Sequence, residues 1–128
     1  VPVHSKIINA FGRLLKMKTT IVEVDEAYGE EFKGKYVLQE ISWAKRSRII
    51  TRYTHYNPQT GRVINIDHVA IQAETLLASL KEQPPSKPIT LERFLSEGDN
   101  GIPIGLGELL AKAANRLNSI GPDETKNS

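Results

Sequence analysis

The stretch Lys35-Tyr36-Val37-Leu38-Gln39-Glu40-Ile41-Ser42-Trp43-Ala44-Lys45-Arg46-Ser47-Arg48-Ile49-Ile50 changes its grammar half way. Lys35 to Ile41 is strand-like, with β-branched and aromatic residues in a short run. Ser42 is a helix-capping residue type, and from there Trp43, Ile49, Ile50 and Tyr53 recur at near-helical spacing to about His55. The expectation is a strand that hands over to a helix at Ser42.

Working upstream, Thr20-Ile21-Val22-Glu23-Val24-Asp25 is a second strand-like run, with Thr20, Val22 and Val24 alternating against Ile21, Glu23 and Asp25. The polar, glycine-bearing Ala27 to Gly34 between the two runs makes them a hairpin with a long loop. Two strands alone are marginal in water, so this hairpin has to lie on helices or pair with another chain. Further upstream, Ile7, Ile8, Phe11, Leu14 and Leu15 fall on one helical stripe that Ser5 could cap, which predicts a helix over 5–18. That helix belongs either to the core or to an appendage that docks on a partner.

Downstream, Tyr56-Asn57-Pro58-Gln59-Thr60-Gly61 is a strong turn signal, followed by a short extended piece at Arg62 to Ile66. Asp67 caps a helix whose apolar face is Val69, Ala70, Ala73, Leu76, Leu77 and Leu80. Glu82 to Pro88 is a proline-rich break that cannot continue a helix. Thr90 opens a short helix through Leu91, Phe94 and Leu95, closed at Gly98, and Asp99-Asn100-Gly101 is a turn. From about Pro103, the residues Ile104, Leu106, Leu109, Leu110, Ala113, Ala114 and Leu117 form the last helix, which Gly121-Pro122 stops. The expected fold class is mostly α (α+β), with four to five helices and a small N-terminal β-hairpin. It makes one domain over 1–121 and a flexible C-terminal tail over 122–128.

Composition excludes several classes. The 128 residues include no cysteine, which removes disulfide scaffolds and cysteine-bound structural zinc. No run approaches the roughly 18 apolar residues of a membrane span, and no signal peptide is legible, so a soluble, cytoplasmic protein is expected. The formal net charge of +2 hides a segregation. Glu23, Asp25, Glu26, Glu30 and Glu31 come without a base, whereas Lys33 to Arg62 holds seven bases against Glu40 alone.

Catalytic templates find no support. His4, His55 and His68 share no metal spacing, and no H-E-x-x-H pattern is present. The glycines at 98, 101, 105 and 107 lack the lysine and hydroxyl residue of a phosphate loop. Neither an enzyme nor a cofactor is expected. The basic run is the remaining candidate. On a helix, Lys45, Arg48 and Arg52 fall within roughly 60° of one another, with Arg46 to one side. Trp43, Tyr53 and Tyr56 lie near enough to stack on bases, which suits a small nucleic-acid-binding or regulatory protein using a basic helix at 44–54. The same charges would equally steer a protein partner with an acidic face, or simply be the solvated side of a helix.

Taken together, the segments resemble a known family, the small tail assembly chaperones of long-tailed (siphovirus-type) phages and prophages. Those proteins run from a strand into a Leu-Glu-Leu-Thr/Ser-Trp motif that opens a charged helix. A Thr-Gly turn, an Asp-started helix, a proline break, a short Thr-x-Glu helix and a final amphipathic helix ending in Leu-Asn follow. The matching residues are Tyr36 to Trp43, Lys45 to Ile50, Thr60-Gly61-Arg62-Val63, Asp67, Leu80 to Pro84, Ile89-Thr90-Leu91-Glu92 and Leu109 to Asn118. They cover roughly residues 20 to 120. The basic Lys45-Arg46-Ser47-Arg48 departs from the mixed or acidic pattern of the family, and the segment at 5–18 precedes the similar part.

The resemblance implies a non-catalytic protein of the host cytoplasm that binds the tape measure protein, keeps it soluble and recruits tail tube subunits. The partner-binding residues expected on this reading are Trp43, Lys45, Arg46, Arg48 and Arg52 on the basic helix, with Leu106 and Leu110 on the last one. The aliphatic faces of 69–80 and 104–117 are what a core helix shows as well. Separately, a hairpin with an open edge can add to a neighbour's strand, which would make a homo-oligomer along a rod.

Overall fold

A computed structural model describes residues 17–119, and before them the strand pairs Ile7–Ile8 (β1) and Leu14–Leu15 (β2). The fold is built on β4 (Gly34–Gln39), the middle strand of a three-stranded antiparallel sheet. On one side it pairs with β3 (Thr19–Val24), placing Val22 opposite Tyr36 and Thr20 opposite Leu38. On the other it pairs with β7 (Leu80–Glu82), where Leu38 faces Leu80. Side chains alternate across a strand, so Tyr36 and Leu38 are buried on one face while Lys35 lies opposite Glu23 on the other. Val24, Tyr36 and Leu38 meet Leu106, Leu110, Ala114 and Leu117 of helix α4 (Ile104–Asn118) and Leu76 of helix α2 (His68–Ser79). A short helix α3 (Leu91–Leu95) lies against α2, and Phe94 reaches Gly107 on α4.

Local chemistry sets where these helices begin. Helix α1 (Trp43–Arg52) starts at Ser42, whose hydroxyl accepts from Lys45 N at 3.1 Å. Asp67 caps α2 by accepting from Ala70 N at 3.0 Å, and Thr90 caps α3 by accepting from Arg93 N at 3.2 Å. The loop between β3 and β4 coils into two 3₁₀ turns, Glu26–Tyr28 and Glu30–Phe32, and delivers Phe32 into the core. The proline-rich loop closes through Gln83, whose amide oxygen accepts from Ile89 N at 2.7 Å and whose amide nitrogen donates to Ile89 O at 3.2 Å. Pro84 then packs so close to Gly34 that a Cβ there would sit 2.5 Å from the proline ring.

The mostly α class with a single small hairpin is corrected by this structure. Among the described residues, four α-helices stand beside a three-stranded sheet, a separate two-stranded hairpin and the two-stranded pair β1–β2, an α+β arrangement. Of the additional strands, β6 (Val63–Ile66) falls within the extended piece expected at Arg62 to Ile66, whereas β5 (Thr54–Tyr56) and β7 begin in residues read as helix. Helix α1 stops at Arg52, and β5 begins where the helix was expected to continue to His55. β5 pairs with β6 across the Asn57 to Arg62 turn. Leu80, expected on the helical stripe of α2, is instead the first residue of β7, because the open edge of β4 offers it a ladder. α3 ends at Leu95, three residues before the expected stop at Gly98. The helix expected over 5–18 is not formed at Ile7–Ile8 and Leu14–Leu15, which pair antiparallel with Ile7 opposite Leu15. The remaining residues of 1–16 and the tail expected over 122–128 lie outside the described residues. No helix among the described residues is long and apolar enough to cross a membrane.

Asn118, at the end of α4, ties three elements together. Its Oδ1 accepts from Ile41 N at 2.8 Å, and its Nδ2 donates to Ser79 Oγ and to Ala114 O, each at 2.8 Å. Ser79 is fully buried. The Asn118→Ala variant leaves these groups unpaired, and its expected cost is about 2 kcal/mol of folding free energy, checked by urea denaturation against the wild type.

Candidate functional site

Among the described residues, the two most exposed large apolar ones, Ile104 at 83% and Trp43 at 81%, stand in the first turns of α4 and α1. Tyr56, Val63, Ile64, Ile66 and Val69, all exposed, cluster on or beside the β5–β6 hairpin. A side-chain-to-backbone network fixes its turn: Asn57 Oδ1 accepts from Gln59 N and Thr60 N, and Gly61 takes a φ of 73° that suits glycine. Asn57 N donates to Arg62 O at 2.7 Å and Asp67 N to Tyr53 O at 2.9 Å, closing the hairpin at tip and base. Only Thr54, bonded to Ile50 O, is buried. All four residues of β6 are exposed, so neither of its faces is covered by the described residues. Tyr56, Val63, Ile64 and Ile66 are all on this hairpin, with Ile64 64% exposed. Val69 stands in the first turn of α2 next to it.

The expected site residues divide. Trp43 is 81% exposed, standing in the first turn of α1 before that helix reaches the core at Ile49. Lys45, Arg46, Arg48 and Arg52 are all exposed, but they do not act as one patch. Arg52 Nη1 donates to Glu74 Oε1 on α2 and is thereby tied to its neighbour. Arg46 turns aside to line a cleft between α1, α2 and α4. Lys45 and Arg48 have no carboxylate within ion-pair distance among the described residues. Leu106 and Leu110, expected on a contact surface, are fully buried in the core against the sheet and hold α4 in place. A partner could reach them only by unpacking it.

Charge balance explains why the basic side stands out. The acidic loop is largely answered within the chain: Glu26 meets Lys33 at 3.7 Å, and Glu31 meets Lys87 at 3.1 Å and Arg93 at 3.6 Å. Glu23 faces Lys35 across the β3–β4 ladder, and Asp25 caps its own turn by accepting from Ala27 N. Arg93 also lies 5.3 Å from the centre of the Phe32 ring, which further anchors the loop.

Concave sites are small. The cleft beside Arg46 holds about 130 Å³, and a shallower groove between β3 and α4, edged by Glu23, Lys112 and Arg116, holds about 320 Å³. No histidine lines either. Among the described residues, no group of three or more His, Asp or Glu side chains is placed to hold a metal ion. His55 and His68 are both exposed. The apolar hairpin is the feature that sequence reasoning passed over. Its signal was present in the Asn57 to Gly61 turn flanked by Thr54-His55-Tyr56 and Val63-Ile64-Asn65-Ile66, two strand-like runs about a turn.

Compared with family models, curated proteins and solved structures, the chain matches none of them.

The Arg52–Glu74 contact makes a pH prediction. Burial pushes the Glu74 pKa up, but the Tyr53 hydroxyl, the Arg52 guanidinium and the Lys45 charge outweigh it, so the carboxyl lies below its ordinary value. A carboxylate depressed in the folded state adds stability above its unfolded pKa and loses it as pH falls through the folded one. Wild type is therefore expected to be more stable than Glu74→Gln at about pH 7 and to lose that advantage in acid below about pH 4. Denaturant midpoints of both proteins across this range check it.

Proposed function

We propose that this protein is a viral tail assembly chaperone, a non-catalytic binding protein of the host cytoplasm. It holds the tape measure protein in solution and recruits tail tube subunits. The observation that carries this reading is the β5–β6 hairpin with apolar residues exposed on both faces. Isolated two-stranded hairpins are marginal in water, and contiguous exposed apolar surface marks sites of protein association. An exposed Trp43 and the uncompensated Lys45 and Arg48 on α1 add an aromatic anchor and a steering charge. A long helical client with apolar stripes suits such an arm, which offers a strand edge and the exposed Tyr56, Val63, Ile64 and Ile66 side chains.

Co-expression is the test. The tape measure protein encoded beside this gene is expected in the soluble fraction with the wild type. With the Val63→Ser/Ile64→Ser double variant it is expected to be mostly insoluble. Because both residues are exposed, the variant itself is expected to fold with a stability within about 0.5 kcal/mol of wild type. A tape measure protein that stays insoluble with the wild type refutes the reading.

One observation favours a second reading, nucleic-acid binding: the exposed indole of Trp43 stands at the start of the same helix as Lys45 and Arg48. On that reading retention on a single-stranded DNA or RNA column falls steeply between low and moderate salt, and Lys45→Glu/Arg48→Glu abolishes it. A protein that passes through such a column at low salt removes it.

A further inference from the structure

Arg46 lies off the stripe of Lys45, Arg48 and Arg52 and lines a cleft between α1, α2 and α4. Its walls include Gln72 and Thr75 from α2 and, at the end of α4, Asn115 and Ser119. Ile50 and Ile71 make the apolar remainder, and no carboxylate lines it. Asn118 also borders the cleft, but its amide is committed to Ile41, Ser79 and Ala114. The about 130 Å³ available corresponds to roughly four waters' share of liquid volume, the scale of a carboxymethyl group and not of a nucleotide or a cofactor.

A guanidinium with unshared N–H groups, two amides and a hydroxyl form a donor-rich space without an internal counter-charge. Arg pairs with carboxylates through two parallel hydrogen bonds, the strongest kind available to a neutral-to-basic notch of this size. The last carbonyls of α4 end nearby and oppose an anion, but a helix terminus contributes less than a paired guanidinium. We propose that this α1–α2–α4 cleft is a carboxylate-binding notch that receives an Asp or Glu side chain of a protein partner, with Arg46 as the pairing group. Ile50 and Ile71 contact the methylene carbons of that side chain, and Gln72, Asn115 and Ser119 supply the remaining donors. The identity of the occupant as a partner's side chain rests on the assembly reading above.

The test is titration of the full chain, followed by amide and arginine side-chain NMR, with acetate, N-acetylaspartate N-methylamide, its neutral asparagine counterpart, and inorganic phosphate. The expected result is saturable shifts at Arg46, Gln72 and Asn115 with the two carboxylates, at millimolar affinity. The asparagine counterpart is expected to bind about tenfold more weakly or not at all, and Arg46→Gln to weaken the carboxylates by about tenfold or more. Equal shifts with the asparagine counterpart, or an Arg46→Gln protein that titrates like wild type, overturn the notch. Phosphate binding without carboxylate binding overturns the side-chain assignment. Thermal unfolding of Arg46→Gln, expected to coincide with wild type because Arg46 is exposed, shows that any loss is not unfolding. The titration needs no tape measure protein, so its failure leaves the assembly reading standing. An insoluble tape measure protein would remove that reading and leave the notch.

Discussion

The carboxamide of Asn118 meets the chain at three places that would otherwise be free to separate: the bend between β4 and α1, the end of α2, and the last turn of its own helix. A carboxamide offers one acceptor and two donor hydrogens, and here each side is used. Its partners Ser79 and Ile41 N are shielded from full hydration, so the pairing carries the desolvation cost of any group left alone. This one contact holds α4 at the angle that brings Leu106, Leu110, Ala114 and Leu117 down onto Tyr36 and Leu38. The cleft beside Arg46 and the exit of α1 toward the β5–β6 hairpin both depend on that angle, because α1 starts two residues after Ile41.

Charge is distributed by the same packing. The acidic loop folds back on Lys33, Lys87 and Arg93 and spends most of its charge inside the molecule. The basic helix is answered only at Arg52 among the described residues. Surface ion pairs of this kind contribute little to stability, so their consequence is where the residual field lies. It lies on α1, close in sequence to the hairpin where the apolar side chains are exposed. An apolar surface beside uncompensated positive charge is what recognition of an acidic, partly apolar partner requires, and it supports the chaperone reading better than chemistry on a small molecule.

Much of the architecture was legible one segment at a time. The strand at Lys35 to Ile41, its pairing with Thr20 to Asp25, and the caps Ser42, Asp67 and Thr90 are local signals, each readable within a turn or a hairpin. The errors fall where residues had to choose a partner. Thr54-His55-Tyr56 leaves the helix because Val63 to Ile66 offers a ladder, and Leu80 leaves α2 because β4 has an unpaired edge. Ile7–Ile8 and Leu14–Leu15 satisfy a helical stripe equally well, yet they pair as strands. Short apolar runs fit both periods, and periodicity alone does not separate them.

The candidate site was legible in type and not in arrangement. Residue order determined that the chain would carry a basic helix opened by Ser42 and Trp43. Helical geometry even set Arg46 apart from Lys45, Arg48 and Arg52. Only the tertiary structure decided that Arg52 is tied to Glu74, that Arg46 faces a cleft, and that Leu106 and Leu110 are core. It alone left Tyr56, Val63, Ile64 and Ile66 exposed. The reason is that exposure belongs to no residue singly. An aliphatic side chain is buried or presented according to which distant element packs over it, and that follows from the long-range contacts of β4 and Asn118.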